Sequence, residues 1–329
     1  MPFRARSHVG AAVVMLAGLL GACAENPQAP DAAQVRRPLA NLAAPVARPD
    51  RYVVSFKSAE PAAFEASVQA LGGTVERRLS SIRLAVVSGV GAAGATQLAA
   101  MGGVEMLAQD LNVQFIPAPS IGADALLNLD PTAAGVVASG SNQSGAAFFS
   151  RQWNMVRVGA PQAWASSTGG AGKVVCVLDT GIDPDHIDLA GKVVPGLFTS
   201  FISAPLFIGD LDPYDYNFHG SASAGHISTN GIGMASVAPD AKLCSAKVLN
   251  VLGSGSFADL ISAITWVREV AQGNVINMSL SGYVDLTIPG ATSSWRCCSA
   301  RWIAPPRRAS WSWRRRATTT STSTPTRPA

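Results

Sequence analysis

The sequence has 329 residues, of which 48% are hydrophobic and 14% charged, a composition that excludes global disorder and predicts about two packed domains. The formal net charge of +4 does not indicate a nucleic-acid partner, because residues 292–329 hold eight arginines and no acidic residue, which leaves the rest of the chain acidic. Five cysteines, at positions 23, 176, 244, 297 and 298, lack the spacing of a disulfide scaffold or a zinc site.

The amino-terminal residues 1–23 predict an export signal. Two arginines precede an apolar stretch, residues 9–20, that is too short to span a bilayer comfortably, and small residues lead up to Cys23. This ending resembles the lipobox of bacterial lipoproteins, whose cysteine is acylated and becomes the new amino terminus. We therefore expect lipidation at Cys23 and a membrane-attached, exported protein; an ordinary signal peptide would instead give a secreted one. Residues 24–50, rich in Pro and Ala, predict a flexible tether.

Residues 51–115 predict a small α+β domain. Strands are expected over 52–56, 74–79, 82–87 and 106–115, and helices over 61–71 and 92–101. Their order is βαββαβ, which is typical of a compact two-layer sandwich. The following residues 116–150 are rich in Gly, Ser, Ala and Asn and predict an exposed linker.

The first candidate for chemistry follows a nearly unbroken apolar run. Residues 173–178 predict a strand buried on both faces, and the run ends at Asp179. An acid in this position lies where open α/β sheets place their sites. The second candidate is His219, which precedes the small residues 220–225. These predict a helix close to the sheet, whose dipole would favour the neutral imidazole that a general base needs.

Six short motifs carry a family resemblance. Val-Leu-Asp-Thr-Gly-Ile-Asp at 177–183 and His-Gly-Ser at 219–221 resemble the first two catalytic motifs of the subtilisin-like serine proteases. The further matches follow in the family's order at residues 237–239, 246–249, 253–256 and 275–280. The resemblance implies that residues 151–292 form the amino-terminal half of a catalytic domain, with an incomplete, doubly wound parallel α/β sheet. It also implies that residues 51–115 are a propeptide, which acts as folding chaperone and transient inhibitor.

The resemblance implies a serine endopeptidase that hydrolyses peptide bonds of protein or peptide substrates. Asp179 would accept a hydrogen bond from one imidazole nitrogen of His219, and the other nitrogen would take a proton from a serine hydroxyl. Extended substrate would add to two backbone edges, as in strand addition. These edges are formed by Gly253, Ser254 and Gly255 on one side and by Ser279, Leu280 and Gly282 on the other.

Catalysis of this kind implies no cofactor, and calcium is the only ion to consider. Asp183, Asp185 and Asp188 could suggest a cation site, and Asp188 resembles a position where some relatives bind calcium; exposed loop carboxylates are the simpler interpretation. Cys176 and Cys244 lie in apolar runs. We expect them to be buried thiols, because a bond between them requires a geometry that the sequence does not reveal.

Two parts of the family's site do not occur in this sequence, namely the oxyanion-hole asparagine and the nucleophile motif Gly-Thr-Ser-Met-Ala. Residues 293–329 are instead rich in Arg, Trp and Thr and have no hydrophobic period. With suitable codons, a shifted frame across 308–318 encodes Gly-Val-Val-Val-Val-Ala-Ala-Ala-Gly-Asn-Asp, which is the family's next strand with its asparagine. We therefore expect a frameshift near residues 292–295 and an inactive chain as written.

Two alternatives stay open. In the first, the chain is a membrane-tethered pseudoprotease whose small domain binds and inhibits a partner subtilase. In the second, the Arg/Trp-rich segment contacts nucleic acid or a membrane surface. We expect no nucleic-acid partner, because that segment lacks any helical period.

Overall fold

The computed structural model describes residues 46–116 and 142–282. The chain divides into a unit of residues 1–41 and a unit of residues 42–329, so every described residue belongs to the second unit. The predicted signal peptide with Cys23, most of the tether and of the linker, and the Arg/Trp-rich segment lie outside the described residues. Within the described part, no helix combines the length and the apolar character needed to cross a bilayer.

The small domain is an antiparallel sheet with two helices. Its strands follow the order β2-β3-β1-β4, and its core includes an edge-to-face pair of Phe56 and Phe64. The strand β1 begins well before residue 52, because Val46 and Ala47 pair with β4 at Asn112 and Leu111. The elements are β1 (Val46–Phe56), α1 (Phe64–Ala70), β2 (Thr74–Leu79), β3 (Leu84–Ser88), α2 (Ala92–Ala100) and β4 (Val104–Gln114).

The larger domain contains a sheet with the strand order β6-β7-β5-β9, in which every pair is parallel. This confirms the predicted parallel α/β class. Short 3₁₀ turns lie at Phe149–Arg151 and Ile208–Asp210, and a π turn at Val267–Ala271. The elements are α3 (Trp153–Arg157), α4 (Ala160–Ser166), β5 (Val174–Asp179), β6 (Val193–Ser200), α5 (His219–Ile227), β7 (Lys242–Lys247), β8 (Ser254–Ser256), α6 (Phe257–Trp266) and β9 (Val275–Asn277).

The two domains share one sheet and one apolar core. Strand β8 of the larger domain pairs antiparallel with β4, so that it becomes the fifth strand of the small domain's sheet. Val53 and Leu111 of the small domain belong to the same buried cluster as Leu260 of α6, and Phe115 packs edge-to-face on Phe257. Apolar burial therefore stabilises the contact between the domains.

A buried arginine reinforces this contact. Arg51 has no exposed surface and donates to Asp110 of β4 at 2.6 Å and to Asp259 of α6 at 3.0 Å. Glu76 and Ser256 accept its other hydrogen bonds. A buried ion costs several kcal/mol unless its partners remain in place, so the charge network couples the position of the small domain to helix α6.

The structure corrects the prediction that Cys176 and Cys244 are free thiols. The two residues lie directly opposite each other on β5 and β7, their Cα atoms are 4.4 Å apart, and they form a disulfide. The prediction was wrong because the sequence of a buried parallel strand does not reveal its register against a neighbour that lies 68 residues away.

Replacing both Cys176 and Cys244 by Ala should lower the free energy of unfolding by about 4 kcal/mol, because the bond restricts a long loop of the unfolded chain. Urea titration under non-reducing conditions measures the difference, and reduction of the unsubstituted chain should produce a similar loss. Alkylation of both cysteines in the denatured, unreduced protein would contradict the disulfide.

Candidate active site

Asp179 is the last residue of the buried central strand β5. It lies at the carboxyl edge of the parallel sheet, where such sheets bind their ligands. Its side chain has no exposed surface. The Oδ1 atom accepts a hydrogen bond from its neighbour's backbone, Thr180 N–H, at 2.7 Å, whereas no donor among the described residues reaches Oδ2. The carboxylate is thus held away from water with little local compensation for its charge, so a cationic partner is favoured strongly there.

His219 is that partner. It is the first residue of α5, and its Nδ1 atom lies 2.8 Å from Asp179 Oδ1 although 40 positions separate the two residues. An ionised carboxylate only accepts hydrogen bonds, so Nδ1–H donates and the neutral ring carries its lone pair on Nε2. The imidazole remains partly exposed, with 36% of its side-chain surface accessible. The pair is therefore arranged for a base whose orientation is fixed by a carboxylate.

The pKa of His219 is shifted in the direction opposite to the one expected from the helix dipole. The pKa of His219 is raised, first because its side chain hydrogen-bonds Asp179 and then because the charges of Asp179 and Asp215 add to this effect; desolvation opposes them. These carboxylates favour the charged imidazole, whereas the helix dipole is expected to favour the neutral one.

Small residues let α5 approach the sheet, as the sequence predicted. A side chain at Gly220 would collide with the backbone oxygen of Gly181, so only glycine allows the first turn of the helix to touch the loop after β5. Gly181 itself has φ +112 and faces the backbone of Pro213 and Tyr214. These close approaches bring His219 within reach of Asp179.

The first predicted substrate edge is occupied by the chain's own segment 112–116. Residues Asn112, Val113 and Gln114 pair antiparallel with Ser256, Gly255 and Ser254. Beyond this ladder, Phe115 N–H donates to Gly253 O at 3.0 Å. The backbone of Gly253, Ser254 and Gly255 therefore binds an extended peptide, here one that belongs to the small domain.

The second predicted edge touches the same segment. Ser281 N–H donates to Phe115 O at 3.1 Å, and a side chain at Gly282 would meet Val113 and Phe115. Leu280 packs on the shared core. Ser279, which was also predicted, accepts a hydrogen bond from Asn277. Among the hydrogen bonds of the described residues, none joins Ser279 to the segment 112–116. The prediction missed Ser281, although its place between Leu280 and Gly282 on an extended edge pointed to it.

The carboxylate of Asp188 is bound by backbone donors. Its two oxygens accept backbone N–H groups of residues 232–234 at 2.8 to 3.2 Å. Asp183 accepts from Asp185 N–H, and Asp185 from Tyr214. Among the described residues no group of three or more His, Cys, Asp or Glu could hold a metal.

Comparison with known sequences finds a similar family. Residues 170–315 match the sequence model of the Subtilase family, a range that contains Asp179 and His219 and also includes part of the Arg/Trp-rich segment. Thermitase of Thermoactinomyces vulgaris is 37% identical over 141 residues, which are 42% of this chain and 47% of thermitase. This part of the chain is similar to the subtilases. The similarity agrees with the resemblance that the motifs carry.

Two other proteins match a longer stretch of this chain. Alkaline serine exoprotease A of Vibrio alginolyticus is 29% identical over 284 residues, which cover 82% of this chain and 48% of that protein. The crystal structure of fervidolysin from Fervidobacterium pennivorans superposes with a TM-score of 0.52 at 19% identity, over 77% of this chain and 38% of that one. This likeness confirms the fold. The chain spans about half the length of thermitase and of the Vibrio exoprotease.

The raised pKa of His219 is directly measurable. In an NMR titration of this chain, His219 should titrate above the ordinary value of about 6.5, and Asp179→Asn should lower its pKa. The pair's contribution to the free energy of unfolding should be complete below the unfolded-state pKa and decline as the pH rises through the raised pKa of the folded state. Titration of His219 at or below its ordinary pKa would contradict the contact.

Proposed function

We propose that the function of this chain is the hydrolysis of peptide bonds by an Asp-His-Ser triad, in an exported serine endopeptidase. The observation that carries the proposal is the hydrogen bond of 2.8 Å between Asp179 Oδ1 and His219 Nδ1. Asp179 fixes the tautomer of the imidazole and stabilises the imidazolium that forms during the reaction. The Nε2 atom of His219 then takes the proton of a serine hydroxyl, which attacks the scissile carbonyl.

The substrates that fit this site are extended polypeptides. Its two edges, around Gly253 and Ser281, bind the segment 112–116 through the antiparallel ladder at residues 254–256, the acceptor Gly253 O and the donor Ser281 N–H. Main-chain hydrogen bonds of this kind recognise a strand whatever its side chains are. Protein substrates in general therefore suit the site, and the adjacent apolar cluster, which contains Phe257 and Leu260, favours apolar side chains on one face of the bound strand.

The small domain is proposed to be the inhibitory propeptide of the same chain. Its segment 112–116 lies on the two edges where substrate would pair, so that substrate and segment exclude each other. The Arg51 network and the shared core support a tight complex, because releasing the segment requires exposing buried apolar surface and separating ion pairs.

Export is the proposed destination, with lipidation at Cys23 as its anchor. The disulfide between Cys176 and Cys244 supports this proposal, because such bonds persist mainly in oxidising compartments outside the cytoplasm. The protein would then act in the cell envelope or outside the cell.

The nucleophile is proposed to be encoded in another reading frame of the same gene, because a shifted frame across residues 308–318 can encode the family's next strand with its asparagine. The test is to sequence the gene beyond codon 290, restore the frame and assay hydrolysis of casein. The restored protein should be active, and Asp179→Asn or His219→Ala should reduce activity by a factor on the order of 10⁴ or more. The chain as written should show none.

Stops throughout the shifted frame, or activity that survives His219→Ala, would contradict the proposal. A stably folded chain that binds other subtilases at nanomolar concentration would instead favour the second candidate, a tethered pseudoprotease inhibitor. The observation in favour of that candidate is the segment 112–116, which lies on both substrate edges.

Arg51→Met should weaken the association of the small domain with the rest of the chain. The change leaves Asp110 and Asp259 buried without their cation, a loss of about 3–5 kcal/mol. With a specific cleavage site inserted between residues 117 and 141, the cut fragments of the unsubstituted chain should co-elute in size-exclusion chromatography, and those of Arg51→Met should separate. Arg78→Met is the control, because the partners of Arg78, Glu60 and Glu65, lie at the surface, where such pairs contribute little. Co-elution of the Arg51→Met fragments would contradict the role of the network.

A further inference from the structure

A buried carboxylate outside the catalytic motifs organises the start of the histidine helix. Asp215 precedes His219 by four residues and is only 8% exposed. Its Oδ1 atom accepts the N–H groups of Asn217 and Phe218 at 2.9 and 3.0 Å. Its Oδ2 atom accepts both the N–H and the hydroxyl of Ser221, at 2.8 and 2.7 Å. One side chain thus holds the residues on both sides of His219.

The same carboxylate also reaches the strand that carries Asp179. Thr180 donates its hydroxyl to Asp215 Oδ1 at 2.8 Å and accepts the N–H of Gly220 at 2.9 Å. Thr180 follows Asp179 directly, and Gly220 follows His219. A continuous chain of hydrogen bonds therefore links the residues next to both members of the Asp179–His219 pair.

The local backbone needs such support. Phe218 has φ +74, a left-handed conformation that is unfavourable for a bulky residue and persists only where the surroundings hold it. Its side chain is 53% exposed, so core packing does not hold the turn. The hydrogen bond from Phe218 N–H to Asp215 does.

We propose that Asp215 is a positioning residue for His219: its carboxylate ties the start of α5 to the loop after β5 and so keeps the imidazole against Asp179. The inference rests on the proposed role of His219 in peptide-bond hydrolysis. Asp215 touches neither the imidazole nor a substrate edge through any hydrogen bond of the described residues. Its effect is exerted through the backbone and through its charge, which also raises the pKa of His219.

The test measures His219 by NMR in the full chain, with and without Asp215→Asn. The amide of Asn has one acceptor oxygen instead of two, so the N–H groups at the place of Oδ1 or at the place of Oδ2 lose their acceptor, and the negative charge is lost. We expect the strongly deshielded Nδ1–H resonance of His219 to weaken or vanish and the pKa of His219 to fall. Asp212→Asn is the matched control, because it removes one charge from the same loop, where Asp212 accepts from Tyr214 and Tyr216 and from no other described residue; it should leave both readouts unchanged.

A second pair of variants decides the outcome if Asp215→Asn does not fold. Thr180→Val removes the hydroxyl that joins Asp215 to Gly220, and Thr180→Ser keeps it. We expect the valine variant to lose the deshielded resonance and the serine variant to retain it.

An Asp215→Asn protein that melts at a lower temperature but keeps the resonance and the pKa of His219 would overturn the proposal, because Asp215 would then be only structural. Equal behaviour of the two Thr180 variants would overturn it as well. Because both readouts are taken on the chain as written, they do not depend on hydrolysis. Failure of the protease proposal would appear in the casein assay of the restored protein instead.

Discussion

The site depends on a single hydrogen bond between a fully buried carboxylate, Asp179, and a partly exposed imidazole, His219. The carboxylate lies at the end of a strand that is covered on both faces, so its charge is screened little by water. The imidazole comes from the first turn of a helix that can approach only because Gly220 lacks a side chain. The buried charge of Asp179 would be costly without a partner. The glycine and the helix place His219 against it, so that the carboxylate is compensated and the imidazole is oriented as a base.

The small domain pairs with the two edges through main-chain hydrogen bonds, as the proposed substrate would. Strand β4 and the residues after it add to the edge at Gly253–Gly255, and Ser281 contacts them from the other side. Main-chain pairing positions the segment 112–116, and the Arg51 network together with the shared apolar core stabilises the contact between the two domains. Much of the contact that holds the segment thus comes from the rest of its domain, which suits the propeptide role that we propose for it.

The sequence predicted the individual strands and helices better than it predicted how neighbouring elements are aligned with one another. Asp179 and His219 were found because a buried strand and a run of small residues mark the two ends of the contact. The Cys176–Cys244 bond was missed because parallel register depends on contacts distant in sequence. The effect of Asp215 was missed for a related reason, since an aspartate in a loop is ordinarily a turn former and its five donors become neighbours only when the loop folds back on Thr180.

The measurement that tests the central contact most directly is a double-mutant cycle on the free energy of unfolding, with Asp179→Asn, His219→Gln and the double variant at pH 5 and pH 9. A direct hydrogen bond between the carboxylate and the imidazolium predicts a favourable coupling on the order of 1 kcal/mol at pH 5, and a smaller one at pH 9, because the charged form of the imidazole becomes less populated as the pH rises. Additive effects of the two substitutions at both pH values would contradict the contact and, with it, the protease site.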